Sequence, residues 1–232
     1  MLKLRPAAER GHMNHGWLQA RHTFSFGRYL DPAHMGFRDL RVINDDTVQP
    51  GMGFDTHGHK DMEIITYVLD GALAHKDSMG SASVLRPGDV QRMTAGHGVM
   101  HSEFNASEDQ ELRLLQIWIN PEAHGLEPGY EEKCFGDEDK RGRLRLIVSR
   151  EGQEGSLRIH QDARVFAGLF TRGESAVYQT EKDRHLWLQV ARGDVRAAGR
   201  DLSEGDGLAV SGEERLEIDG IEGGEILLFD LK

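Results

Sequence analysis

The chain has 232 residues, and its 39 acidic against 28 basic side chains give a formal net charge of -11. Such acidity repels phosphate backbones and anionic lipid, which argues against direct binding to nucleic acid or membrane. Cys134 is the only cysteine, which excludes an intrachain disulfide, and no apolar run approaches membrane-spanning length.

Taken in chain order, Met1 to Gly11 carries Lys3, Arg5, Glu9 and Arg10 and no apolar stretch, so no signal peptide is expected and a soluble cytoplasmic chain is. Strand chemistry then appears at Glu63 to Leu69 and Arg113 to Ile119, with Asp70-Gly71 and Pro87-Gly88-Asp89 as turns. Asn120 to Arg143 is polar and charged and contains Pro121 and Pro128, so it reads as a linker or crossover. A short helix is expected near Pro121 to His124 and another near Ala176 to Arg184. Further strands are expected at Leu144 to Val148, Arg164 to Phe170, His185 to Val190 and Glu225 to Leu231. Arg192-Gly193-Asp194 and Glu204-Gly205-Asp206 supply turns among the later ones. Short strands punctuated by glycine turns predict an all-β sandwich or barrel. The composition shift divides the chain into residues 1–121, a connection at 122–143 and residues 144–232. A faint repeat joins the halves: Tyr67 to Gly71 followed by Leu85 to Val90 resembles Leu188 to Gly193 followed by Leu202 to Asp206.

Chemistry concentrates in two segments. His57-Gly58-His59 and His101-Ser102-Glu103 each place two ligand types at positions i and i+2. On a strand, such positions share a face. Two neighbouring strands could therefore offer two ligands each to one ion inside a barrel. Three imidazoles and a carboxylate form a nitrogen–oxygen set without sulfur, which suits iron(II) and also manganese, nickel, copper or zinc. On an octahedral metal, four protein ligands leave two positions for substrate or oxygen. The stretch after Gly205-Asp206 has no histidine, so the second half is expected to lack a metal. His160 and His185 stand alone and read as structural. His12, His15, His22, His34, His75 and His124 fit no ligand spacing and read as surface or packing residues.

Gly51 through His57, His59 and Glu63 resembles the first cupin motif. Pro87 through Gly96, His101 and Glu103 is similar to the pirin signature. His22 to Gly27, Val42 to Asp46, Lys60 to Asp70 and Glu225 to Leu231 resemble bacterial pirin-like proteins of the quercetin 2,3-dioxygenase type. The resemblance runs from about Leu2 to Leu231. It implies a two-domain bicupin of β-barrel or jelly-roll domains. Its N-terminal barrel would hold one metal, iron(II) first and zinc, manganese, nickel, cobalt or copper as alternatives, through His57, His59, His101 and Glu103. The glutamate that most cupins use falls on Glu63, but the strand face shared by His101 and Glu103 favours Glu103. His97 stands where pirins carry arginine or a small residue, and reads either as a donor beside the metal or as a turn residue.

Three functions follow. In the first, which the resemblance implies, a flavonol or related enol is chelated, Glu103 or Glu63 takes its proton, and oxygen opens the ring with loss of carbon monoxide. In the second, the same metal centre serves a binding or regulatory module that acts through partner proteins. The third is a structural zinc domain, which the absence of clustered cysteine disfavours. The first reading implies a flavonol and oxygen as partners and a monomer, and leaves room for a protein partner.

Overall fold

A computed structural model describes residues 1–232. The strands up to residue 134 are β1 (Leu2–Arg5), β2 (Gly11–Asn14), β3 (Leu18–His22), β4 (Leu40–Val48), β5 (Gly53–His59), β6 (Glu63–Asp70), β7 (Leu73–Asp77), β8 (Ala82–Leu85), β9 (Asp89–Thr94), β10 (Val99–Asn105), β11 (Leu112–Ile119) and β12 (Gly129–Cys134). The chain forms two compact units. One comprises Gly11–Cys134 with Leu157–Gln161; the other comprises Met1–Arg10, Phe135–Ser156 and Asp162–Lys232. Both are built almost wholly of strands, as a bicupin requires.

In the first unit, a seven-stranded sheet runs β12-β9-β6-β11-β4-β3-β2, and a four-stranded sheet runs β5-β10-β7-β8. The strands pair antiparallel. Period-2 alternation sets the faces. On β10, Val99, His101, Glu103 and Asn105 are buried while Met100 is exposed. An apolar cluster between the sheets joins Leu18, Ala20, Val48, Val68, Leu112 and Leu114 to Leu73 and Leu85. A second cluster gathers Ile64, Met93, Ala95 and Val99. Each such aliphatic side chain, fully buried, stabilises the fold by about 1.5–3 kcal/mol. Gly53 permits a close approach of β5 to β10: a Cβ there would lie 2.2 Å from the Glu103 carbonyl oxygen.

In the second unit, β1 pairs with Gly207–Ser211, and that strand pairs with His185–Ala197. The sheet continues through Arg215–Leu231 and Ala163–Phe170 to Arg145–Ser149. The strands His185–Ala197 and Arg215–Leu231 pair across two register shifts, at Val190/Arg192 and Asp194/Val195. Bulges of this kind bend a strand and increase its local twist. Gly193 takes a positive φ of 62° beside one of them. A Cβ there would lie 1.7 Å from the Gly223 carbonyl oxygen, so only glycine fits.

All six expected strands are present. The two expected helices are not. Pro121 to His124 has no regular structure. Ser175–Gln179 is a strand paired antiparallel with Arg215–Leu231, because Val177 and Tyr178 suit a pleated surface and Tyr178 is buried in the core. The 122–143 segment contains β12 and a helical turn at Asp137–Lys140.

Candidate metal centre

β5 and β10 are neighbours, and their register sets His57 directly opposite His101, with Val99 opposite His59. The ligand atoms of His57, His59 and His101 all lie within 4.8 Å of one another. Their ring centroids are 4.5–4.8 Å apart. His57 Nδ1 lies 2.8 Å from the Asp55 carbonyl oxygen. Only an N–H can make that bond, so His57 Nε2 keeps a free lone pair. His57 Nε2 lies 3.0 Å from His101 Nε2, while His101 Nδ1 is buried without a partner. Two facing imidazole nitrogens backed by a third ring are the donor set a first-row divalent cation takes, and the residues fit one.

A register shift separates His101 from Glu103 along β10, and Glu103 sits opposite His75 of β7. His101, Glu103 and His75 form a second group with ligand atoms within 4.8 Å. Gln91 Nε2 lies 3.1 Å from His75 Nδ1, which leaves the His75 Nε2–H to face Asp77 at 3.3 Å. With both nitrogens engaged, His75 supports the site from behind rather than joining the three converging rings.

The seven-stranded sheet faces these groups with a polar row. Its members, aligned across five strands by register, are His22, Asn44, Gln116, Thr66 and Gln91. Gln116 Nε2 donates to both Glu103 oxygens, at 3.2 and 3.0 Å, and Thr66 Oγ1 donates to Gln116 Oε1 at 3.2 Å. His22 Nδ1 meets Asn44 Oδ1 at 2.7 Å. Burial pushes the Glu103 carboxyl up to about 7, against the opposing pull of the Gln116 and Thr66 hydrogen bonds. Burial, followed by repulsion from the His57 charge, drives His59 down to about 4. Burial also takes His101 down to about 3, with His57, His59 and His75 adding to the shift. The imidazoles of His59 and His101 are therefore neutral at physiological pH, as metal ligands must be.

The histidines open on a cavity of about 240 Å³ whose apolar walls include Phe26, Phe54, Ile64 and Trp118. Trp118 packs edge-on to both His59 and Phe26. An adjoining cavity of about 480 Å³ shares Phe26, Asn44, Asp46 and Phe54 and extends to His15, Trp17 and Arg28.

Glu63 lies elsewhere. Ile64, its neighbour on β6, lines the cavity, so alternation sends Glu63 to the other face of the sheet. There it is fully buried, accepting hydrogen bonds from Thr94 Oγ1 at 2.9 and 3.1 Å and from His160 Nδ1 at 2.9 Å. His97 is an exposed turn residue, 3.4 Å from a Glu127 carboxylate oxygen. His185 hydrogen-bonds Ser211 Oγ. The spacing rule therefore missed His75 and His22, as well as Asn44, Gln116 and Asp46. Cross-strand register, which needs the fold, is what recruits them.

Residues 3–119 match the family model described as Pirin, and residues 146–231 match that of a quercetinase C-terminal cupin domain. A protein named quercetin 2,3-dioxygenase from Escherichia coli (strain K12) is 47% identical over 231 residues, spanning 100% of this chain and 99% of its own. A pirin-like protein from Caulobacter vibrioides is 40% identical, spanning 99% of each chain. The crystal structure of the bacterial pirin YhhW from Escherichia coli in complex with nickel(II) superposes with a TM-score of 0.95 at 46% identity, covering 100% of this chain and 99% of that one. The chain belongs to the pirin family.

Proposed function

We propose that this pirin is a metal-dependent dioxygenase that cleaves flavonols such as quercetin with loss of carbon monoxide. One observation carries the reading: three imidazoles and a buried carboxyl line the polar end of an apolar cavity in a chain 47% identical to a protein named for that reaction. We assign one divalent ion, iron(II), to His57, His59, His101 and Glu103. The nickel(II) complex of the related bacterial pirin supports the choice of a divalent ion.

When bound, such an ion supplies Lewis acidity that lowers the pKa of a chelated hydroxyl. The chain's residues do the rest. Glu103 takes the hydroxyl proton as general base. Gln116, itself held by Thr66, aims that carboxylate. Phe26, Phe54 and Trp118 exclude water and offer flat apolar walls to an aromatic ring system. Carbon monoxide is released in step with oxygen consumption.

The test uses protein loaded with iron(II) or nickel(II). Anaerobic quercetin should shift its absorption band, and oxygen should then bleach the band and release carbon monoxide. His57→Ala at equal free metal controls for autoxidation. Equal carbon monoxide from both proteins, or none from the wild type with any metal, would refute the dioxygenase and leave the regulatory module as the better reading.

A further inference from the structure

Two adjacent aspartates on β4 meet opposite fates. Asp45 is tied by Arg113, whose Nε and second Nη donate to its two oxygens at 2.9 and 3.0 Å. Asp46 points to the other face, toward the cavities. It is only 5% exposed, and its Oδ1 is buried with no hydrogen-bond partner. Its cross-strand neighbours are Ala20 on β3 and Leu114 on β11, both members of the apolar cluster. A leucine would suit those surroundings better. A buried carboxyl without a partner destabilises a fold. Such groups persist where a ligand completes them.

The position of Asp46 says what that ligand presents. Asp46 borders both the histidine cavity and the adjoining one. On its own strand it is two residues from Asn44, which faces Gln116, the residue that holds Glu103. Two residues along a strand span roughly 7 Å. Asp46 also lines the second cavity and Glu103 does not, so a hydroxyl held by Asp46 on that side is distinct from the oxygens chelated beside Glu103. It belongs to a more distant part of the same molecule, where that part passes toward the second cavity.

We propose that Asp46 is a specificity-determining residue: its carboxyl accepts a hydrogen bond from a substrate hydroxyl remote from the metal-chelating oxygens, and so selects polyhydroxylated over bare flavonols. The inference rests on the flavonol reading above. Burial, reinforced by Asp45 and Glu103, holds the Asp46 carboxyl well above the usual range. The hydrogen bond does not depend on that proton, because the carbonyl oxygen accepts in either form.

The experiment is an anaerobic titration of metal-loaded protein with quercetin and with 3-hydroxyflavone, which keeps the chelating pair and lacks the other hydroxyls. The wild type should bind quercetin at least about tenfold more tightly, the worth of one buried hydrogen bond. Asp46→Leu should bind the two within about twofold, and Asp46→Asn, which retains a carbonyl acceptor, should recover the preference. Metal-free Asp46→Leu should also melt above the wild type, because an unpartnered buried carboxyl is gone. Asp46→Ala gives the binding answer if the leucine variant does not fold. Discrimination that survives in the leucine or alanine variant overturns the role of Asp46 alone. A wild type that binds neither compound overturns the flavonol reading, and Asp46 with it.

Discussion

The proposed ligand set takes Glu103 and not Glu63 as its fourth member, and replacing each with glutamine tests that choice. Glu63 is fully buried behind the sheet and accepts hydrogen bonds from Thr94, shared between its two oxygens, and from His160. Glutamine keeps one carbonyl oxygen there and loses the second acceptor. The expected cost is about 1.5–3 kcal/mol of stability, the value of one hydrogen bond to a charged group. Metal stoichiometry should stay at one per chain, because no Glu63 oxygen faces the histidines. Glu103→Gln removes the carboxylate next to His101. Losing a mere outer partner of a metal ligand costs 10–100-fold in affinity, so losing the ligand should exceed about a hundredfold. Stability should change little, since the amide can still pair with Gln116. The assay is calorimetric nickel(II) titration of chelator-treated protein, with a thermal melt of each variant. A Glu63→Gln protein that cannot be loaded, beside a Glu103→Gln protein that loads normally, would refute the assignment.

Two further tests probe the site and the second unit. The His59 imidazole sits near 4 when folded, against an ordinary value of 6.5. Above pH 6.5 it contributes nothing; as pH falls below 6.5, the unfolded state takes a proton that the folded state refuses, and metal-free protein loses stability down to about pH 4. With a discount for partial solvent access, His59→Gln should shrink the stability difference between pH 7 and 5 by about 1 kcal/mol in urea unfolding with chelator, and an unchanged difference would count against the buried neutral ring. In the second unit, fully buried Asp230 accepts from Tyr178, Thr180 and Arg184. Asp230→Ala should cost about 3 kcal/mol, because Arg184 is left buried with fewer partners, yet leave metal stoichiometry unchanged; metal loss in a folded variant would contradict that separation.

The strands legible in the sequence are those whose own side chains declare them. Ile64 to Leu69 is apolar apart from Thr66 because β6 is buried on both faces. Ala176 to Arg184 reads as helix because so short a segment with alanine and glutamine fixes neither period, and pairing of Ser175–Gln179 with Arg215–Leu231 decides the matter. β12 left no signal: its six residues are half-buried or exposed, an edge strand without an apolar stripe. Nothing local in β1 announces its pairing with Gly207–Ser211, which lies near the other end of the chain.

The candidate site divides along the same physical line. His57 with His59, and His101 with Glu103, are legible because alternation is local: two residues on one strand share a face whatever surrounds them. Alternation also resolves Glu63 once one residue of β6 is oriented. Ile64 points into the cavity, so Glu63 cannot. What supports the site is set by register instead. His75, with Asp77 at i+2, reads in the sequence as a surface or packing histidine, yet β7 sets it opposite Glu103. Asn44 and Asp46 sit within Val42-Ile-Asn-Asp-Asp46, where nothing local separates a solvated pair of acids from one acid held by Arg113 and one left alone inside. Only the pairing of β4 with β3 and β11 shows that the second acid has Ala20 and Leu114 beside it rather than a cation. That missing cation is what makes a substrate hydroxyl the natural partner of Asp46.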